Sequence, residues 1–207
     1  MKQGDPTVFA RLGEEILYFR SNGFEPMVIP GVSSALAAPT FAGIPLTQRG
    51  VAESFMVCTG VGRKGKEVNL PGYERSRTLV ILMGVARIKE IVKTLLDLSP
   101  DQNRREGPAY PAILPIAIVE RGSMPDQRVI FSTLRDIVRA LECSDEQRPP
   151  GMMVIGWAVL SLCDEGDVSV LDGGGEGRDE ERIGKWLRGG GGGWRIQEGL
   201  ENDWKRF

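Results

Sequence analysis

The segment RTLVILMG, residues 77–84, is apolar at nearly every position. A strand with one wet face alternates polar and apolar side chains, so an unbroken run of this kind is the pattern of a strand covered on both faces. The glycine that closes it, Gly84, suits a tight turn. The segment that follows, VARIKEIVKTLLDL, sets Val85, Ile88, Val92 and Leu95 on one helical face and ends before Ser99-Pro100. A buried strand, a turn and an amphipathic helix make half of a βαβ unit, which commits this part of the chain to a layered α/β fold.

Neighbouring segments extend that layer. SFMVCTG, PIAIVERG, QRVIFSTL and GMMVIGWAVL read as strands and LRDIVRALE as a helix, which together complete an α/β lobe with mixed pairing. Upstream, Asp5 before Pro6 reads as a helix start, and Val8, Leu12 and Ile16 repeat at helical spacing until Asn22-Gly23. PMVIPG, residues 26–31, has the pattern of a short buried strand. Ser33 or Ser34 then caps the small-residue helix SALAAPTFAG, whose alanines allow close approach of a backbone or a ligand. The expected division is 1–50 for the last part of a first lobe, 51–163 for a second lobe, and 164–207 for a Gly-rich acidic tail. That tail holds 12 of the 27 glycines, which predicts a largely disordered segment with one short helix around DEERIGKWLR. Its tryptophans, Trp186, Trp194 and Trp204, predict partial docking or contact with a partner.

Charge and composition exclude several classes. With 26 Lys+Arg against 28 Asp+Glu the net charge is −2, so no basic field points to nucleic acid or an anionic membrane. The chain has no histidine, which removes Ser-His and Cys-His nucleophile pairs and the common zinc sites, so no metal is expected. Cys58, Cys143 and Cys163 are far apart in sequence and fit reduced thiols of a cytoplasmic protein. No apolar run reaches transmembrane length, and the first residues do not read as a signal peptide. GRKGKEVNLPG lacks the ending of a phosphate loop, and GGGEG has neither the strand nor the helix of a dinucleotide fingerprint. Arginines 11, 49, 63, 121 and 128 are candidates for holding an acidic substrate by bidentate pairing. Spacing alone assigns no catalytic residue.

Five phrases, KQGDPTVFARLGEE, VIPGVSSALAAPTFAGIPLTQRG, TLVILMGVARIKEIV, IAIVERGSMPDQRV and PPGMMVIGWAV, resemble the tetrapyrrole methylase family in sequence and in order. The resemblance covers about residues 2–162. It implies two α/β lobes, the first of them incomplete here, with S-adenosylmethionine folded in the cleft between them. Gln3, Gly4 and Asp5 match the family's glycine-glycine-aspartate loop, with Gln3 in place of the first glycine. Val8 matches an apolar residue beside the cofactor, Ser33 and Ser34 a small pair facing it, Met83 a methionine lying against it and Gly122 a glycine near its adenine. Gln48 stands where the family commonly has a histidine, and it can keep a hydrogen bond but cannot carry a proton.

The implied reaction is methyl transfer to ring carbons of uroporphyrinogen III, giving precorrin-2 on the route to sirohaem. Its small-molecule substrate is a polycarboxylate, and Arg11 and Arg49, beside the cleft motifs, are the candidates for holding it. A homodimer is also implied. The family's opening strand and its Gly-Pro-Gly-Asp-Pro loop have no counterpart in this sequence, so the expectation is an N-terminally truncated chain with weak cofactor binding and little turnover. Alternatives are a relative acting on a corrin precursor, a diphthine synthase-like methylase, and a non-catalytic fragment that works through a partner.

Overall fold

In the computed structural model, residues 3–66, 68–99, 104–173, 175–187 and 193–200 are described. The chain opens with α1 (Leu12–Ser21) and α2 (Ser34–Phe41), then β1 (Ser54–Thr59), β2 (Leu70–Pro71), β3 (Arg77–Leu82) and α3 (Ile88–Leu96). It continues through β4 (Arg105–Glu106), β5 (Pro115–Glu120), β6 (Arg128–Thr133), α4 (Ile137–Cys143) and β7 (Gly151–Ile155). Last come α5 (Glu176–Trp186) and β8 (Trp194–Glu198).

Six of these strands form one mixed sheet in the order β1-β3-β7-β5-β6-β8, and β2 with β4 makes a separate parallel ribbon. The pair β1–β3 is parallel, whereas β7 enters antiparallel between β3 and β5. Strands β3 and β5 therefore run in the same direction, in a shared register through Leu82, Met152 and Val119. From Thr78 to Leu82, and throughout β5 and β6, every residue is buried, which is why these runs carry almost no polar alternation. Fully burying an aliphatic side chain such as Ile81, Ile116 or Ile130 contributes about 1.5–3 kcal/mol. Helix α3 turns Ile88, Ile91, Val92 and Leu95 inward, as its spacing predicts, after a short 3₁₀ turn at Val85–Arg87. None of the described helices is long and apolar enough to cross a membrane.

One ion pair is buried inside this layer. Arg128 on β6 donates from Nε to Glu120 Oε2 on β5 at 2.6 Å, and each side chain is only 1% exposed. The other Glu120 oxygen accepts from the Arg148 amide, and Arg128 also reaches the carbonyl of Glu146. The pair thus ties the 121–127 loop to the segment entering β7.

The structure departs from the sequence reading in three places. Helix α1 begins at Leu12 rather than near Pro6, because Phe9 and Arg11 adopt left-handed backbone with φ of 51° and 58°. Residues 26–31 belong to no strand among the described residues, and α1, which faces them across an open trough of about 450 Å³, buries none of its side chains. The third departure is in the tail, where β8 is an ordered strand in a segment expected to be largely disordered, while α5 is the short helix expected around DEERIGKWLR. Helix α5 stacks Trp186 edge-on against Phe131 with ring centroids 6.0 Å apart, and β8 pairs with β6 as the sixth strand of the sheet. Trp194 packs against the core under the guanidinium of Arg139, while Trp204 and residues 189–192 lie outside the described residues.

Candidate functional site

The loop at Gly4 and Asp5 is built on a backbone contact. Gly4 has φ of +72°, a region that glycine enters without steric cost. Across from it lies Gly31, where a Cβ would stand 2.3 Å from the Gly4 carbonyl oxygen. The two segments can approach this closely only because Gly31 has no side chain. Asp5 completes the joint, accepting from the Thr7 amide at 2.8 Å and from the Gly31 amide at 3.2 Å. The Thr7 hydroxyl and these amides hold the Asp5 carboxyl below the usual aspartate range. Asp5 is therefore a brace for the loop rather than the cap of a helix.

From Gly31 the chain enters α2 directly. Ser33 is the buried N-cap, its Oγ accepting from the Ala35 amide at 3.2 Å, and Ser34 next to it is exposed. Helix α2 then meets the end of β5. A Cβ on Gly122 would lie 2.6 Å from the Cβ of Ala38, so the glycine and the alanine are a fitted pair. A second tie joins the same surfaces, since Gln127 Nε2 donates to the Phe41 carbonyl at 3.1 Å and its Oε1 accepts from the Ser123 amide at 2.9 Å. One continuous path of contacts thus links Gly4, Asp5, Gly31, Ser33, Ala38 and Gly122. Val8, half-buried, packs against the hydrophobic core from the same N-terminal segment, and Gln3 is exposed.

Met83 follows the end of β3, and Gly122 lies just past the end of β5, with only β7 between these two parallel-running strands. Two strand spacings put the strands about 10 Å apart. A methionine that ends an apolar run is ordinarily core, yet Met83 is 52% exposed and has φ of 57°. Left-handed backbone at such a residue costs on the order of 1–3 kcal/mol and is found at functional sites. Strand β1 ends at the same edge, where the Gly60 amide donates to the Leu82 carbonyl at 2.7 Å and a Cβ on Gly60 would lie 2.5 Å from Gly84 Cα. Ligands of α/β sheets lie beyond the carboxyl ends of strands, and these three ends form such an edge.

The two arginines differ in availability. Arg11 is the residue before α1, and its Nε donates to Glu14 Oε2 at 2.9 Å, with an Nη on the same oxygen. Its hydrogen bonds to the Glu14 carboxylate raise the Arg11 guanidinium pKa above its ordinary value. Glu14, absent from the sequence candidates, was findable as the acidic residue three positions after Arg11. Arg49 is exposed on a tight turn, with no ion pair among the described residues. A larger cavity of about 990 Å³ lies between α3 and the 60–70 loop, lined by Lys66, Arg87, Glu90 and Lys93 among others, and no predicted site residue lines it. Among the described residues no group of three or more His, Cys, Asp or Glu is placed to hold a metal ion.

The chain carrying this arrangement has relatives among known proteins. Residues 1–138 match the family described as Tetrapyrrole (Corrin/Porphyrin) Methylases, and the chain belongs to that family. It is 44% identical to a Schizosaccharomyces pombe protein named "Probable uroporphyrinogen-III C-methyltransferase", over 78% of this chain and 30% of that one. It is 42% identical to the uroporphyrinogen-III C-methyltransferase of Methanocaldococcus jannaschii, over 78% of this chain and 64% of that one. The crystal structure of uroporphyrin-III C-methyl transferase from Thermus thermophilus complexed with S-adenyl homocysteine superposes with a TM-score of 0.63 at 37% identity, over 78% of this chain and 63% of that one. The chain therefore spans between about a third and two thirds of the length of these relatives.

Proposed function

We propose that this chain carries the S-adenosylmethionine site and part of the tetrapyrrole site for C-methylation of uroporphyrinogen III to precorrin-2, a step of sirohaem biosynthesis. The observation that carries this reading is the path of backbone-close contacts from Gly4 to Gly122, which gathers six of the matched positions or their direct supports onto one surface. The residues fit the cofactor. Gln3, Gly4, Ser34 and Met83 offer exposed backbone, a hydroxyl and a thioether, while Asp5 and Ser33 are already engaged in bracing that surface. When bound, S-adenosylmethionine supplies an electrophilic methyl group on its sulfonium. The chain's own task is alignment, because an electron-rich pyrrole carbon needs little more than an in-line approach to the methyl group.

Arg49, exposed and without an ion pair among the described residues, is the stronger candidate to hold a substrate carboxylate, and Arg11 is shared with Glu14. A homodimer is part of this reading, supported by the edge strand β1, which leaves Phe55 and Met56 exposed. A cytoplasmic location fits the free thiols of Cys58, Cys143 and Cys163. The test is transfer of labelled methyl from S-adenosylmethionine to uroporphyrinogen III under reducing conditions. Label on a tetrapyrrole product supports the proposal. Absence of label from the tetrapyrrole, with the label instead accepted by a corrin precursor, would replace the substrate.

A further inference from the structure

The segment after residue 163 lies outside the family match, which ends at residue 138, yet it grips the turn that presents Arg49. That turn is short. Gln48 and Ala52 exchange backbone hydrogen bonds at 2.9 and 2.8 Å, enclosing Arg49, Gly50 and Val51. Its outer side is covered by residues 167–171. The Leu171 amide donates to the Gly50 carbonyl at 2.8 Å, and a Cβ on Gly50 would lie 2.0 Å from the Val168 carbonyl oxygen. Gly50 also has φ of +76°, so both its conformation and its space exclude a side chain. Val51 and Val170, at 0% and 1% exposure, close the contact from within the core.

The covering segment is itself fastened by two arginines. Arg75 donates to the Val170 carbonyl at 3.1 and 3.3 Å and to both oxygens of Asp179 on α5 at 2.7 and 2.8 Å. Its guanidinium lies over the ring of the buried Trp157, 5.1 Å from the centroid. Arg182, also on α5, donates to Asp167 at 2.7 Å, to Asp179 at 3.0 Å and to the Ser169 carbonyl at 3.2 Å. Residues 167, 169 and 170 are thus held by charge-assisted hydrogen bonds from the two arginines, while Val168 and Leu171 contact Gly50.

We propose that residues 167–171 and α5 are a positioning clamp that fixes the Arg49 turn for recognition of a substrate carboxylate, with Arg182 and Asp179 as positioning residues. The proposal rests on the reading of Arg49 given above. Without the clamp, Arg49 sits on a hairpin held by its own backbone bonds, and its ordering must then occur on binding. With it, the backbone is already fixed and the guanidinium alone adjusts.

The test compares the full chain with Arg182→Gln and Asp179→Asn. Amide exchange is measured at residues 48–52 and in β3 and β5, and binding is measured for uroporphyrin III and for S-adenosylhomocysteine. The expected result is exchange at 48–52 faster by about tenfold, with β3 and β5 still protected. Uroporphyrin III affinity falls by about tenfold while S-adenosylhomocysteine affinity stays within about twofold. Arg182→Lys, which keeps the charge, falls between wild type and Arg182→Gln. Unchanged exchange at 48–52 in both variants overturns the clamp. Faster exchange with unchanged uroporphyrin III binding, or an equal loss for both ligands, overturns its role in recognition. A wild-type chain that binds no uroporphyrin III, but whose 48–52 protection still depends on Arg182, overturns the substrate reading of Arg49 and the recognition role with it.

Discussion

Gly31→Ala should separate the Gly4–Asp5 loop, proposed to meet the cofactor, from its support without unfolding the chain. A methyl group there would stand 2.3 Å from the Gly4 carbonyl oxygen and 2.9 Å from the Gly4 carbonyl carbon. Both are backbone atoms, so the loop must retreat by about 1 Å to reach an ordinary contact distance. Overpacking of this kind costs about 1–3 kcal/mol, and the 3.2 Å hydrogen bond from the Gly31 amide to Asp5 is stretched with it. The loop can move away, since Gly4 and Gly31 are exposed and α1 beside them buries no side chain. The cost should therefore appear in ligand affinity. S-Adenosylhomocysteine binding, followed by calorimetric titration, is expected to weaken by about 5- to 150-fold. The unfolding midpoint should move by less than about 2 °C. Affinity unchanged within twofold would refute the placement of the Gly4–Asp5 loop in the site, and an equal loss of global stability would make Gly31 a core contact instead.

Removing the buried cation is expected to be far more damaging to the fold. Arg128→Ala leaves Glu120 as an unpaired carboxylate at 1% exposure and should cost about 3–5 kcal/mol in urea denaturation; a loss under about 1 kcal/mol would contradict the pairing. Ser33→Ala removes the cap of α2 and should cost about 1 kcal/mol, read from the same denaturation midpoint, with weaker S-adenosylhomocysteine binding. For acid stability, burial raises the Asp179 carboxyl, but hydrogen bonds and charge from Arg75 and Arg182 outweigh it and hold the group below its usual range. Asp167 is lowered in the same net sense against its own burial, by the Ser169 amide and Arg182. Groups lowered on folding stabilise the native state above the unfolded aspartate value of about 3.9, and that contribution is lost as pH falls through the folded values. Near-ultraviolet signals from the tryptophans of α5 and β8 should hold from neutrality to about pH 5 and fade below about pH 4. A transition near pH 6 would point to other groups.

The central strands β3, β5, β6 and β7 were legible because they are covered on both faces, so Leu79 to Leu82 and Ile116 to Val119 had to be apolar whatever their partners. Helix α3 was legible for the matching reason, since its inward residues recur at helical spacing. The Gly4–Asp5 loop shows what local reading misses. Asp5-Pro6 has the composition of a helix start, but the Asp5 carboxyl is taken by Thr7 and by Gly31, a partner 26 positions away. PMVIPG is strand-like in pattern, yet a strand is a relation between two segments and these residues have no ladder partner among the described residues. WRIQE was hidden by the glycines before it. Its order comes from pairing along β6, where Trp194 faces Ser132 and Glu198 faces Arg128, a contact no composition count contains. The matched positions Gly4, Ser33 and Gly122 were found by resemblance, but the reason they lie together, through Gly31 and Ala38, needed the structure.

The most direct test is photochemical cross-linking of methyl-labelled S-adenosylmethionine to the full chain, followed by peptide mapping. Saturable label, displaced by S-adenosylhomocysteine, is expected on peptides that contain residues 3–8, 33–34, 83 or 122. Label confined to the cavity between α3 and the 60–70 loop, or no saturable label, would contradict the proposed site.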